Sequence, residues 1–253
     1  MESPETPDPV ADPVLRAVDL IQNGSMGEAE LCLKQAYLQA PDTPDVHFAL
    51  GLFEEESGDP HSAQSYYERA LQLDPCHARA HVNLGLLHKQ ADALGQAEDC
   101  YHRAIAADPA LAEAHLNLGT LLHQTGRPEE AEKSFHQALA NEPTMAAAHR
   151  NLSSLLLWQN RHVEALQFAL KAGQFEPNEA ETHNTLGAVY KATQQTDKAI
   201  GCFQHAITAE PANAGYHANL AGALVDARRL DEAHELFYRA IDLEAELSDA
   251  HYG

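Results

Sequence analysis

The sequence has little positive charge. Lysine and arginine together number 16, against 38 aspartate and glutamate residues, and the formal net charge is −22. Proteins that bind nucleic acid or anionic membrane surfaces do so through clustered Lys and Arg, so this balance argues against both as partners. The charge is that of a soluble protein, and it would also suit a basic or neutral partner segment.

Cysteines and long apolar runs are also scarce. The four cysteines have no C-x-x-C spacing, and three of them share one position of the repeat described below, so they are not expected to pair. They are Cys32, Cys76, Cys100 and Cys202. Free thiols are typical of a reducing compartment, and the sequence therefore predicts a cytoplasmic protein. No run approaches the roughly 20 apolar residues of a membrane-spanning helix. Residues 1–9, acidic and with three prolines, are predicted to be a flexible tail and not a signal peptide.

The motifs of common enzymes are missing as well. There is no P-loop, no G-x-S-x-G and no H-E-x-x-H, and no pair of carboxylates is set in a recognisable catalytic motif. The sequence predicts no catalysis by this chain, no cofactor and no catalytic or metal-binding residues.

The dominant feature is a 34-residue unit, seen most clearly from Ala112 to Met145. Its first half carries one stripe at i, i+3, i+4 and i+7, typical of an amphipathic helix. The stripe consists of His115, Leu118, Gly119 and Leu122. Gly126 and Pro128 mark a turn and the start of a second helix. That helix has its own stripe of Ala131, Phe135 and Ala138, and Pro143 ends it. Each unit is therefore predicted to be a helix, a turn and a helix.

The unit recurs without insertion or deletion over residues 10–253. Complete copies begin at residues 10, 44, 78, 112, 146, 180 and 214, and an eighth begins at residue 248. Two positions are alanine in all seven complete copies. The first comprises Ala29, Ala63, Ala97, Ala131, Ala165, Ala199 and Ala233, and the second Ala36, Ala70, Ala104, Ala138, Ala172, Ala206 and Ala240. Small residues at fixed positions allow two helices to pack closely, which predicts stacked helical hairpins.

This pattern resembles the tetratricopeptide repeat (TPR) family. That family has a large residue, Leu, Gly and an aromatic on the first helix, followed by Ala, an aromatic, Ala and Pro on the second. The resemblance implies an all-α, right-handed superhelix of seven repeats plus the start of an eighth. It also implies a concave inner face made by the first helix of each repeat.

Two copies depart from the pattern. In the fifth, Ser153 replaces glycine and Ala169 replaces the aromatic. Neighbouring Phe168 and Phe175 are expected to compensate for the lost ring, although a local bend or a partner contact near Trp158 is an alternative. At the C-terminal end the stop proline is missing, so the last helix either runs on or gives way to the eighth copy. The region of Leu236, Phe237 and Ala240 is expected to be exposed there and to favour self-association.

Histidine occupies one position of every copy after the first. These residues are His47, His81, His115, His149, His183, His217 and His251. Because packed helices lie about 8–10 Å apart, whereas zinc needs nitrogen at about 2.0–2.1 Å, a metal ladder is excluded and a packing role is expected. The C-H-x3-H cluster of Cys76, His77 and His81 lacks a fourth ligand, so it is at most an adventitious metal site.

Asparagine gives the candidate binding residues. Asn83, Asn117, Asn151 and Asn219 stand two residues after the histidine, and Asn184 stands one residue earlier in its own repeat. An amide can pair with the C=O and N–H of a peptide bond, although Asn-Leu at this place is also common in the family. The resemblance is strongest to the TPR arm of protein O-linked N-acetylglucosamine transferases, and it implies that these asparagines hold substrate backbone. The Lys and Arg clamp of chaperone-binding TPR domains is missing.

The sequence thus predicts a non-catalytic scaffold that binds an extended peptide or a partner protein in its groove. Two alternatives stay open. The chain could be the substrate-recognition arm of a larger enzyme such as a glycosyltransferase, truncated at residue 253, or it could be a scaffold that assembles with itself.

Overall fold

The computed structural model describes the backbone of residues 12–252 and the side chains up to residue 245, so the predicted tail at residues 1–9 lies outside the described residues. This part of the chain folds into fourteen α-helices and contains no strand. They are α1 (Pro13–Gln22), α2 (Met26–Gln39), α3 (Pro44–Glu56), α4 (Pro60–Leu73), α5 (Ala78–Gln90), α6 (Leu94–Ala107), α7 (Ala112–Gln124), α8 (Pro128–Asn141), α9 (Ala146–Trp158), α10 (His162–Phe175), α11 (Ala180–Ala192), α12 (Thr196–Ala209), α13 (Ala214–Asp226) and α14 (Leu230–Tyr252). The fourteen helices form seven helix-turn-helix repeats, and the all-α solenoid fold is confirmed.

Helix boundaries follow local signals in the sequence. The first helix of each of repeats two to seven begins at residue 44, 78, 112, 146, 180 or 214, the positions at which the repeats were placed. Proline occupies the first turn of four helices, where its missing N–H is not needed. Asp12 caps α1, since its Oδ1 accepts a hydrogen bond from the N–H of Val14 at 3.0 Å.

The turn inside each repeat has one residue with a left-handed backbone. All seven such residues stand at the fifteenth position of their copy, with φ between 57° and 83°. They are Gly24, Gly58, Asp92, Gly126, Asn160, Gln194 and Arg228. Glycine takes this conformation freely, whereas other residues adopt it at a cost of about 1–2 kcal/mol. The same turn therefore forms in four copies that have no glycine there.

Packing is local. The two helices of a repeat pack on each other, as in α3 with α4, and a second helix packs on the first helix of the next repeat, as in α4 with α5. Some first helices also touch, as in α9 with α11 and α11 with α13. The contacts divide the chain into two compact units, residues 1–121 and 122–253, with the boundary inside α7. The repeated alanines are buried throughout, with exposed fractions of at most 6%, which confirms that they lie at helix crossings.

A glycine and an aromatic ring meet inside the second, third and sixth repeats. A Cβ atom placed on Gly85 would lie 2.6 Å from a ring carbon of Tyr101, and one on Gly187 would lie 2.6 Å from a ring carbon of Phe203. In the fifth repeat Ser153 replaces the glycine, and its hydroxyl donates to the carbonyl of Ala165 at 2.8 Å. Ala169, which replaces the ring, is fully buried. Serine is therefore tolerated at the glycine position because alanine, and not a ring, stands at position 169.

This arrangement revises the expected role of the neighbouring phenylalanines. Phe175 stacks on His149 with ring centroids 5.6 Å apart, and the ring of Phe168 lies tilted against His149 at 5.8 Å. Phe175 is 42% exposed, so it does not fill the interior space of a lost ring.

The C-terminal helix is the longest. α14 continues to Tyr252, so Ser248, the first residue of the eighth copy, lies inside a helix that has run on. The expectation of an exposed Leu236–Phe237–Ala240 region is wrong for two of the three residues, because Leu236 is half-buried and Ala240 is buried against the preceding helices. Phe237 is exposed. None of the described helices combines the length and the apolar character that crossing a bilayer requires.

Candidate peptide-binding surface

All five candidate asparagines lie on first helices of the repeats. In the first unit, Asn83 is on α5 and Asn117 on α7, and both are half-buried. In the second unit, Asn151 on α9 and Asn184 on α11 are half-buried, and Asn219 on α13 is exposed. Their surroundings differ from repeat to repeat.

In the first unit, Asn83 belongs to a chain of hydrogen bonds. Its Nδ2 donates to the hydroxyl oxygen of Tyr67 at 3.1 Å, and that hydroxyl donates to Oε2 of Glu55 at 2.6 Å. Burial raises the pKa of Tyr67 well above its usual range, and the hydrogen bond to Glu55 raises it further. The hydroxyl therefore stays protonated. Asn83 thus supports the internal structure with one of its two donor hydrogens.

The next repeat has the same tyrosine without the same partners. Tyr101 occupies the position of Tyr67, and its ring packs on Gly85 as described above, but its buried hydroxyl has no hydrogen-bond partner among the described residues. Burial raises the pKa of Tyr101, and the nearby Cys100 and Glu113 raise it further. Phe135 and Phe203 take this position in other repeats and are equally buried, so packing requires the ring and not the hydroxyl.

Glu113 on α7 gives the first unit a carboxylate with a perturbed pKa. Loss of water around the carboxylate raises the pKa of Glu113, and the nearby Arg79 opposes this. Glu113 is nevertheless an exposed residue. Its carboxylate therefore has many protein atoms around it but is still reached by solvent. A partner approaching Asn117 on the same helix would meet this carboxylate.

In the second unit, two of the candidates bind each other. Nδ2 of Asn219 donates to Oδ1 of Asn184 at 2.8 Å, which joins α13 to α11. Asn184 stands one residue earlier in its repeat than Asn219 does in the next. The two side chains meet in spite of this one-residue difference. The pair leaves the Nδ2 group of Asn184, the second N–H of Asn219 and the Oδ1 atom of Asn219 for other bonds, so donors and an acceptor remain as a peptide bond requires.

Side chains two turns further on extend this face. Trp158 follows Asn151 by seven residues on α9, so the two share a helix face. The indole is 65% exposed and meets the ring of His123 edge-on at 6.1 Å. On the next first helices, the seventh residues after Asn184 and Asn219 are Lys191 and Asp226, whose charged atoms lie 3.8 Å apart. The face therefore offers amides, one large aromatic and a compensated charge pair.

Arg150 is a residue of this unit that sequence reasoning did not single out. Its guanidinium lies 2.9 Å from Glu181 and 3.2 Å from Glu176, and its side chain is only 12% exposed. It also donates to the hydroxyl of Thr182 at 3.3 Å. Because two carboxylates already hold it, Arg150 is not placed to clamp the terminal carboxylate of a peptide. Arg150 and Glu181 are separated by 31 residues, close to the length of one repeat, and this spacing could have been used to predict that the two side chains meet.

The repeated histidines have a structural role that the sequence predicted only in part. In six repeats Nε2 of the histidine lies 2.8–3.0 Å from the carbonyl oxygen of the proline six residues earlier. The histidines are His47, His81, His115, His149, His183 and His217. Each ring donates Nε2–H to this carbonyl and so ties the loop to the helix. The packing role stands, but the hydrogen bond was missed, although the constant His-to-Pro spacing signals it.

The Cys76–His77–His81 cluster is also used internally. Nδ1 of His77 accepts the N–H of Ala80 at 3.1 Å and caps α5, and its Nε2 lies 3.1 Å from Asp45. His81 points its Nε2 to Pro75. Among the described side chains, no three His, Cys, Asp or Glu residues gather in a way that could hold a metal ion.

Two protein families and several solved structures are similar to this chain. The model of the cilia and flagella-associated protein 70 middle TPR-like domain matches residues 52–172, and the tetratricopeptide repeat model matches residues 184–248. No curated protein matches the chain in sequence.

Similar solved structures share the fold at low identity. A chain of the APC/C hetero-tetramer Cut9–Hcn1 superposes with a TM-score of 0.82 at 17% identity over 94% of this chain, and this chain spans only 46% of its length. PilF of Pseudomonas aeruginosa gives a TM-score of 0.69 at 21% identity, with 79% of this chain and 90% of PilF covered. YrrB, described as a TPR protein with an unusual peptide-binding site, gives 0.54 at 20% identity, with coverage of 71% and 92%. The 34-residue period and the two family models identify tetratricopeptide repeats in residues 52–172 and 184–248, and the solved structures share the helical fold.

Proposed function

We propose that the chain is a non-catalytic interaction module that binds an extended segment of a partner protein along the first helices of its repeats. TPR folds commonly mediate protein–protein interaction, and neither matching family model is that of an enzyme. The observation that carries the finer proposal is the Asn184–Asn219 pair, which leaves amide donors and an amide acceptor available on an exposed face. Trp158 on a neighbouring first helix supplies an aromatic of the kind enriched at binding hot spots.

The chemistry of this face sets the kind of partner. Lys191 is paired with Asp226 and Arg150 with two glutamates, so these groups leave only one negative charge to select a charged segment. Amides that bind peptide backbone give affinity with loose sequence preference. We therefore expect an extended peptide, with neither nucleic acid nor a membrane surface as partner. The four free cysteines support action in the cytoplasm, where thiols stay reduced.

The role of a recognition arm within a glycosyltransferase has less support. Neither matching family model is that of a glycosyltransferase, so this alternative depends on the asparagines alone. Several of those asparagines have internal partners.

Peptide binding can be tested with the single tryptophan as reporter. Peptides selected from a random display library on the wild-type protein should change the emission of Trp158 on titration. Replacement of Asn117, Asn151, Asn184 and Asn219 together by alanine should weaken binding at least tenfold, since each hydrogen bond contributes about 0.5–1.5 kcal/mol. Asn83 is left in place because it supports Tyr67.

The control variant carries Asn141→Ala and Asn178→Ala, two exposed asparagines off this face. It should bind as the wild type does. N-methylation of backbone amides in the peptide should also weaken binding, whereas raising the salt concentration should have little effect. Equal affinity of the quadruple and control variants, both with full helical content, would show that the asparagines are structural only.

Self-association is a second candidate function, favoured by one surface of α14. Phe237, Tyr238 and Ile241 are 42%, 56% and 60% exposed. Apolar side chains grouped in this way commonly meet a partner surface. We expect dimers or larger species by light scattering at high protein concentration, and their loss in the Phe237→Glu, Ile241→Glu double variant. A wild type that stays monomeric at high concentration would exclude this candidate.

A further inference from the structure

A cleft lies between α2, α3 and α4 in the first unit, apart from the asparagines. Its volume is about 450 Å³. It is lined by Glu30, Leu33, Lys34, Tyr37, Leu38, Leu50, Phe53, Glu54 and Tyr66. Leu50, Phe53 and Glu54 form one stripe of α3 at i, i+3 and i+4, and this stripe faces side chains of α2. The cleft is therefore an apolar depression with acidic groups in its wall.

The sequence explains why a cleft opens here. Glu54 stands at the repeat position that holds Leu122, Leu156 and Leu224 in other copies, and those leucines are at most 3% exposed. Burying an unpaired carboxylate is costly, so Glu54 remains half-buried and does not fill the space as leucine does. The second repeat thus has a polar group where regular repeats are packed.

Aromatic rings and an unbalanced charge give the cleft its chemistry. The rings of Tyr37 and Tyr66 both contact His47, with centroid distances of 6.0 and 6.1 Å. Tyr37 is 45% exposed. Lys34 lies 2.6 Å from Glu30 and neutralises it, whereas none of the described side chains pairs with the carboxylate of Glu54. One negative charge is therefore left beside exposed aromatic surface.

We propose that this cleft binds an arginine side chain of a partner protein. A guanidinium is planar and weakly hydrated, so it can stack on Tyr37 or Tyr66 while it pairs in bidentate fashion with Glu54. The aliphatic stem of arginine would cover the half-buried Leu50 and Phe53. A chain with a net charge of −22 also attracts a basic partner at long range. The site uses none of the asparagines and is independent of the proposed peptide-binding face.

The probe for this site is N-acetyl-arginine amide, titrated into the ¹⁵N-labelled full chain and followed by NMR. The backbone amide signals of the cleft-lining residues on α2, α3 and α4 should shift saturably. The dissociation constant should be about 1 mM for a ligand of this size. N-acetyl-citrulline amide has nearly the same shape without the charge and should bind at least tenfold more weakly. N-acetyl-lysine amide should also bind more weakly, because an ammonium neither stacks nor pairs in bidentate fashion.

Variants of α3 separate the cleft from general charge attraction. Glu54→Gln should weaken arginine binding at least tenfold, whereas Glu56→Gln, at an exposed position of the same helix, should not. Glu54→Leu should abolish binding and raise the melting temperature, since it restores the residue found in packed repeats. Equal binding of citrulline, equal effects of the Glu54→Gln and Glu56→Gln substitutions, or no saturable shift at all would each overturn the proposal. Lysine binding as tight as arginine binding would overturn the assignment to arginine.

Discussion

Replacing Ala169 by phenylalanine is expected to lower the free energy of unfolding by about 1–3 kcal/mol, the usual cost of overpacking a core. Ala169 is fully buried at the position that holds Tyr67, Tyr101 and Phe203 in other repeats. A ring there would meet the side chain of Ser153. In the second, third and sixth repeats the equivalent ring packs directly on the glycine that Ser153 replaces. Urea denaturation of the variant and the parent measures the difference.

The second half of this experiment adds Ser153→Gly. Alone, Ser153→Gly should also destabilise, since it removes the hydrogen bond to Ala165 and places glycine inside a helix. Together the two changes recreate the regular glycine–aromatic pair, so the loss in the double variant should be smaller than the sum of the single losses by about 0.5–3 kcal/mol. Pairing Ala169→Phe with Gly201→Ala, in which the glycine has open space around its Cβ, provides the control. Additive losses in the Ser153 pair would contradict the steric coupling.

Acidification is expected to destabilise the fold before the carboxylates titrate. Nε2 of His81 and of His149 donates to a proline carbonyl, and Nδ1 of each is buried without a partner among the described residues. Burial lowers the pKa of both rings, opposed by the proline carbonyl. Arg103 and His77 lower the pKa of His81 further while Asp74 raises it, and Lys171 lowers the pKa of His149.

The direction of the effect follows from proton binding. The unfolded chain takes up these protons near a pKa of about 6.5, whereas the folded chain takes them up only at lower pH. The unfolded state therefore binds more protons below about pH 6.5, and the histidines' contribution to stability is complete above that pH and is lost as pH falls. We expect the melting temperature to drop between about pH 7.5 and 5.5.

A matched pair of variants identifies the groups responsible. His81→Phe with His149→Phe keeps a ring at each position and removes the titration, so the melting temperature should depend less on pH than in the wild type. His61→Gln changes an exposed histidine and should leave the pH dependence as it is. A double variant with the slope of the wild type would show that other groups cause the acid sensitivity.

The fold was predictable from sequence because one 34-residue pattern recurs without insertion, and the alanines at the helix crossings and the helix starts followed from it. The turns were predictable only in part. Gly126 signals its turn, because glycine favours the left-handed conformation. The same conformation is adopted by residues that do not signal it in the sequence, namely Asp92, Asn160, Gln194 and Arg228. The repeat imposes the turn on them, and local propensity alone would not have found it.

The candidate site was less predictable, because its properties depend on contacts between side chains of different repeats. The register placed the asparagines on first helices, yet it could not show that Asn83 donates to Tyr67 or that Asn184 accepts from Asn219. Whether they bind peptide stays a prediction. Glu54, at a position that is leucine in other copies, was the one sequence signal for the cleft. The volume of the cleft depends on how α2, α3 and α4 pack, which a local sequence pattern does not describe.

The local packing of the helices has a consequence for how the chain folds. Because each helix contacts mainly helices adjacent to it in sequence, the relative contact order is low and only short loops have to close before contacts form. Folding of such arrays can begin at any pair of neighbouring repeats and spread outward. A partner bound at one repeat would therefore protect the amide hydrogens of adjacent repeats from exchange more strongly than those of distant ones.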